Sequence, residues 1–275
     1  MSAGFGARLT AARAARGPLC VGIDPSPQLL SAWGLPDDAT GLAAFCQTVV
    51  DVLGGQVAVL KPQSAFFERH GSHGIAVLER TIVAARAAGA LVLLDVKRGD
   101  IGSTATAYAD AYLRTGAPLA VDALTVSPYL GVAALQPFFD VAAEHEAGVF
   151  VVALSSNREA FVQSARTTDG PTVGEAVLSA VAAANTGARP LGPVGAVVGA
   201  TLGAVSADLN INGALLAPGI GAQGASPVDL PRVFGDALGL VLPAVSRSVL
   251  SAGPDAASLR TAALRTRDEV AAVLG

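Results

Sequence analysis

Short apolar runs recur along this chain, and a helix-length, alanine-rich segment lies between most of them. That alternation constrains the fold more than any other feature. The runs are Leu19-Cys-Val-Gly-Ile-Asp24, Val57–Lys61, Leu91–Lys97, Ala120–Thr125, Val149–Ser155, Val194–Ala200, Leu215–Ala217 and Leu240–Ser246. They are close to continuously apolar, as strands buried on both faces are. Helices are expected over Gly41–Leu53, Ile75–Ala88, Ser103–Arg114, Val132–His145, Val173–Ala184 and Ala256–Val273. A loop is expected through Ser64–Glu68, and a short helix after the sixth run. Eight strand-then-helix units in roughly 250 residues match an α/β (β/α)8 barrel in number and size. An open doubly wound sheet would carry a glycine-rich dinucleotide turn after its first strand. Here that position reads Asp24-Pro-Ser-Pro. No linker divides the chain, so residues 1–275 are expected to form one barrel domain.

Composition agrees with buried elements: 52% of residues are hydrophobic and 15% charged. A net charge of −4 without a basic cluster leaves no footprint for nucleic acid. No uninterrupted apolar run reaches the ~18 residues of a membrane span. The closest, Val194–Val205, is broken by glycines and followed by Asp208 and Asn210. A cytoplasmic protein without a membrane partner is expected. Cys20 and Cys46 are too few for a disulfide framework and are read as reduced, buried thiols. No metal-ligand spacing involves them or the three histidines. The segment Phe5–Arg16 carries Arg8, Arg13 and Arg16 with little acid, a pattern shared with organellar targeting helices. The preferred reading is an extra N-terminal helix that covers one end of the barrel.

A barrel of this kind keeps its chemistry at the C-terminal ends of its strands. The polar residues fall there. Asp24 ends the first strand, Lys61 the second, and Asp95, Lys97 and Asp100 follow the third. Thr125 and Ser127 end the fourth, Ser155 and Ser156 the fifth, Gln223 follows the seventh and Arg247 the eighth. Asp95 and Lys97 are two apart and share one face of their strand. The chain has only two lysines, Lys61 and Lys97, and every other strong base is arginine. Lysine differs in being a compact ammonium that can give up its proton inside a protein. Acids and ammonium groups alternating in one space keep each other ionised, with coupled titrations. After the seventh strand, Gly219-Ile-Gly-Ala-Gln-Gly224 permits close backbone approach, and Arg247 can grip a phosphate with two parallel hydrogen bonds.

At these residues the chain resembles the orotidine 5′-phosphate decarboxylase family. Asp95-Val-Lys-Arg-Gly-Asp100-Ile-Gly matches the family's Asp-x-Lys-x-x-Asp-Ile-Gly signature, and the similarity runs from the Asp24 strand to the Arg247 strand. The continuation into Ser103-Thr104 is most like the longer bacterial branch. The resemblance implies cofactor-independent decarboxylation of orotidine 5′-phosphate (OMP) to UMP. By the same resemblance, Lys97 protonates C6 as CO2 leaves, and Asp95 and Lys61 complete a charged network. Asp100 and Thr104 are then lent to the neighbouring site across a homodimer. Asp24 holds the ribose hydroxyls, Ser155 (or its neighbour Ser156) reads the pyrimidine amide edge, and Gln223 and Arg247 clamp the phosphate. The family often has Gly-Arg where this chain has Ser246-Arg247.

Three other readings start from the same residues. A metal-dependent sugar-phosphate decarboxylase or aldol synthase of the same superfamily would need further acids, and Lys61 stands where an added glutamate is wanted. A Schiff-base aldolase would use Lys97 or Lys61 as nucleophile. A catalytically silent nucleotide-binding barrel would have little use for an intact set of lysines and acids.

Overall fold

The computed structural model describes residues 3–157, 159–168 and 170–275. Eight parallel strands close into a barrel in sequence order. They are β1 (Cys20–Ile23), β2 (Val59–Pro62), β3 (Leu91–Arg98), β4 (Ala123–Val126), β5 (Gly148–Leu154), β6 (Val194–Val198), β7 (Leu215–Pro218) and β8 (Val241–Val245). Closure is made where Cys20 of β1 lies opposite Val59 of β2 on one side and Ala244 of β8 on the other.

The barrel explains why the runs are apolar throughout. Successive strand residues face opposite ways. Val21, Leu60, Leu94, Leu124 and Val151 pack outward under the helices. Cys20, Val59, Leu93, Ala123, Phe150 and Leu242 fill the interior. The inward parity continues up each strand. Two residues beyond Val59 stands Lys61; beyond Leu93 come Asp95 and then Lys97; beyond Ala123 comes Thr125. The register that packs the barrel therefore also aims the polar residues at its C-terminal mouth.

The helix α1 (Phe5–Arg16) closes the opposite end, as expected. Its Phe5, Leu9 and Ala12 join the interior cluster, and Phe5 meets Phe150 edge-on with ring centroids 6.0 Å apart. Gly148 makes room for this contact, since a Cβ there would lie 2.4 Å from the Phe5 ring.

Several expected boundaries differ in the structure. β4 begins at Ala123 rather than Ala120, because the Ala120 and Val121 amides donate to the Ala117 and Tyr112 carbonyls, at 3.0 and 2.9 Å, rather than to a neighbouring strand. Ser64–Glu68, expected as a loop, contains the helical turn Ala65–Glu68. Pro137 helps split the fourth helix into a 3-10 turn, Val132–Leu135, and the α-helix Gln136–Glu144. The short helix expected after the sixth strand is absent: residues 199–214 are irregular. Buried Asn185 does part of its work. Its amide donates to the carbonyls of Val194 (2.7 Å) and Ile211 (2.9 Å) and accepts from the Val194 amide (3.1 Å). Leu209 and Ile211 fill the space beneath. No helix among the described residues is long and apolar enough to cross a membrane.

Candidate active site

The C-terminal mouth holds a cavity of about 580 Å³. Asp24, Lys61, Asp95 and Lys97 enter it from the first three strands, and Thr125 from the fourth. Ser155 and Ser156 line the wall beyond β5, with Gln223 and Arg247 beyond β7 and β8.

Asp95 is the hub. One carboxylate oxygen, Oδ2, accepts from Lys61 Nζ at 2.9 Å and from Gln63 Nε2 at 3.2 Å. The other, Oδ1, accepts from Lys97 Nζ at 2.6 Å and from the Thr125 hydroxyl at 2.9 Å. Burial by itself would raise the Asp95 pKa, but Lys61 and then Lys97 pull it well below the usual carboxylate range. Lys61 shows the reciprocal effect. Burial opposes its charge, and the Asp95 and Asp24 carboxylates outweigh this and raise its pKa above the usual lysine value. Beneath them, burial pushes the Cys20 thiol up to about 12, so it stays protonated. Lys61 is enclosed, whereas the Lys97 side chain is 49% exposed and reaches into open cavity.

The backbone at Lys97 is unusual. Its φ is 44°, in the left-handed region that side-chain-bearing residues seldom adopt. That geometry costs roughly 1–2 kcal/mol. It coincides with a register shift between Leu94 and Arg98 in the β3–β4 pairing. The Thr125 hydroxyl compensates, accepting from the Val96 and Lys97 amides at 3.0 Å each. Thr125 thus orients the hub carboxylate and supports the bulge that carries Lys97.

Elsewhere on the rim, polar atoms stand unpaired. Asp24 Oδ1 and Ser246 Oγ are buried and have no hydrogen-bond partner among the described residues. The β7 loop is tight, with Gly219, Gly221 and Gly224 at φ of 108°, 78° and 96°. Gly221 N donates to Ala225 O at 2.7 Å. Arg247 makes no ion pair among the described residues. Ser155 donates its hydroxyl to Asn157 at 2.6 Å, and Gln163 bridges its backbone N and O at 2.6 and 2.8 Å.

Two expected site residues lie apart from this chain's cavity. Asp100 accepts from the Ile101 amide at 2.8 Å, and Thr104 is exposed on the helix Gly102–Leu113. Other residues enter whose part in the site sequence reasoning did not assign. Gln63 shares the Lys61 face two residues on, so strand period could have found it. Thr125 was visible as a strand-end polar group, but its task depends on the bulge. Gln163 carried no signal. No three His, Cys, Asp or Glu side chains among the described residues gather as a metal-binding group.

A closed (β/α)8 barrel with a lysine–carboxylate–lysine network at its mouth, facing a glycine loop and an arginine, defines a barrel enzyme for an anionic substrate. Residues 17–262 match the orotidine 5′-phosphate decarboxylase / HUMPS family. The chain is 63% identical over 272 residues to an orotidine 5′-phosphate decarboxylase of Salinispora arenicola, with 98% of each chain covered. It is 62% identical over 268 residues to that of Streptomyces coelicolor, covering 97% of this chain and 96% of the other. A crystal structure of a candidate orotidine 5′-phosphate decarboxylase from Streptomyces avermitilis superposes with a TM-score of 0.98. That pair is 61% identical, covering 100% of this chain and 97% of the other. The Leishmania donovani OMP decarboxylase gives 0.78 at 30% identity, covering 99% of both chains. The chain belongs to the orotidine 5′-phosphate decarboxylase / HUMPS family.

Proposed function

We propose that this chain decarboxylates OMP to UMP, the last step of de novo pyrimidine synthesis, acting as one catalytic domain over residues 1–275. The observation that carries the reading is the Asp95 carboxylate held between Lys61 and Lys97 at the cavity wall. Heterolysis of the bond from C6 to the carboxylate releases CO2 and leaves the electron pair on C6. No neighbouring carbonyl takes up that pair simply, so a positive group must lie where it develops and must be able to surrender a proton. The Lys97 ammonium does both; guanidinium could not do the second. Lys97 gives its proton to C6, and the amine is reprotonated from solvent. The reaction so written calls for no metal or cofactor.

Asp95 would repel the substrate carboxylate. At ~4 Å and an effective dielectric of ~20 that repulsion is roughly 4 kcal/mol. The most demanding enzymes lower barriers by on the order of 20 kcal/mol. Stabilisation of the carbanion by Lys97 therefore carries the larger share. Asp24, with its unpaired oxygen, accepts from the ribose hydroxyls, and Ser155 meets the pyrimidine amide edge. Gln223 and Arg247 bind the phosphate, whose binding energy helps close the loops over the ring. Loss of orotidine absorbance with purified protein tests the reading directly. Turnover that survives EDTA is the expected result; turnover that needs a divalent ion would favour the metal-dependent siblings.

The active form is read as a cytoplasmic homodimer with shared sites. Ile101, Tyr129 and Leu130 are 62%, 81% and 55% exposed, and their two loops adjoin where Ser127 N donates to Arg98 O at 2.8 Å. This apolar patch lies beside Asp100 and Thr104, which a partner copy would lend to the opposite cavity. Mixing inactive Lys97→Ala and Asp100→Ala subunits should then regenerate some intact sites. No recovered activity after subunit exchange would count against sharing.

A further inference from the structure

A left-handed lysine on a bulged strand needs holding from both sides. Thr125 holds it from the N-terminal side. On the C-terminal side the next residue is Arg98, whose guanidinium is flanked by Glu68, Tyr108 and Tyr112 while its buried Nε has no hydrogen-bond partner among the described residues. Arg98 donates to Glu68 Oε1 at 2.6 Å, and its Cζ sits 5.6 Å from the Tyr108 ring centroid. Glu68 belongs to the helical turn after β2, and its Oε1 also accepts from the Ser64 hydroxyl at 2.6 Å. Ser64 in turn donates its amide to the carbonyl of Asp95 at 3.1 Å. A circuit therefore closes around the charged network, from Asp95 through Ser64, Glu68 and Arg98 to Lys97 and back to Asp95. Neither Glu68 nor Arg98 lines the cavity.

We propose that the Arg98–Glu68 pair is a positioning clasp that joins the ends of β2 and β3 and aims the Lys97 ammonium. This inference rests on the decarboxylase reading and adds to it two residues that never touch substrate. Both are partly exposed, so as a stability device the pair is weak. As a geometric restraint it is not, since a misplacement of about 1 Å at a reacting group can cost on the order of 10²-fold in rate.

Steady-state OMP decarboxylation by full-length Arg98→Met, Arg98→Lys and Glu68→Gln variants tests the clasp. Arg98→Met is expected to lower kcat by on the order of 10²-fold with KM and melting temperature held. Glu68→Gln should lose about tenfold, and Arg98→Lys should recover much of the Arg98→Met loss by keeping the ion pair. The double variant Glu68→Gln with Arg98→Met should be no slower than Arg98→Met alone. Single variants with unchanged kcat would overturn the clasp. So would losses in kcat that only track losses in melting temperature. A parent chain that fails to turn over OMP would overturn the decarboxylase reading itself. Active parent protein beside equally active variants would remove only the clasp.

Discussion

Each end of this barrel buries one aspartate, and the two differ in the cation set opposite. At the closed end, Asp122 pairs with Arg8 of α1, has Arg86 Nε at 3.6 Å and accepts from the Val92 amide. At the open end, Asp95 pairs with Lys61 and Lys97. Guanidinium at the closed end offers a fixed charge with several donors, which suits a joint between a helix and a strand. Ammonium at the open end offers a charge that can leave as a proton. The closed end is packed around aromatic rings, whereas the open end carries unpaired buried oxygens at Asp24 and Ser246. Unmet polarity concentrates where a ligand would complete it.

The largest effect is expected where the two kinds of cation are exchanged. Lys97→Arg keeps a positive charge beside Asp95 and removes the proposed proton donor. Turnover should fall by at least about 10⁴-fold while the melting temperature holds. Near-normal turnover would sink the donor role and erase the contrast between the two ends. Next in size is Asp122→Asn, which removes the charge from the closed-end joint. Arg8 is partly exposed, so the loss should sit near the lower bound for a broken buried pair, about 3 kcal/mol. For a chain of this size that is roughly 6–10 °C of melting temperature. The folded enzyme's kcat at 25 °C should not change. A kcat loss resembling that of Lys97→Arg would mean that the floor also takes part in the chemistry.

What could be read without coordinates follows the same division. Strands and their tips were legible because interior packing imposes an alternation on every strand, and the tips inherit it. Lys61, Asp95 and Thr125 were therefore placed at the mouth from spacing alone. The Lys97 backbone was not legible, since nothing in Asp-Val-Lys-Arg marks a non-glycine residue for positive φ. The work of Thr125 depends on that bulge and was hidden with it. The missing helix after β6 was misread because glycine- and alanine-rich sequence fits a helix or a loop equally well. Asn185 ties the segment down instead, and a buried asparagine looks like any other in sequence. Asp100 and Thr104 face away from this chain's cavity, so their expected role depends on a second copy.

The smallest test concerns Ser246, which precedes Arg247 at the end of β8. Its φ of −143° lies outside the left-handed region that favours glycine. Its hydroxyl is buried and unpaired, so it is either a small standing penalty or a donor kept for the phosphate beside Arg247. The two cases predict changes in different quantities. If it awaits phosphate, Ser246→Ala should raise KM by about tenfold or more with kcat unchanged, the effect of one hydrogen bond to a charged group, about 1.5–3 kcal/mol. If it is only a penalty, the same change should leave KM unaltered and raise the melting temperature slightly. The comparison of the two ends favours the first outcome. Asp24, the other unpaired rim oxygen, lines the same cavity, and the closed end leaves no such side-chain atom among the described residues.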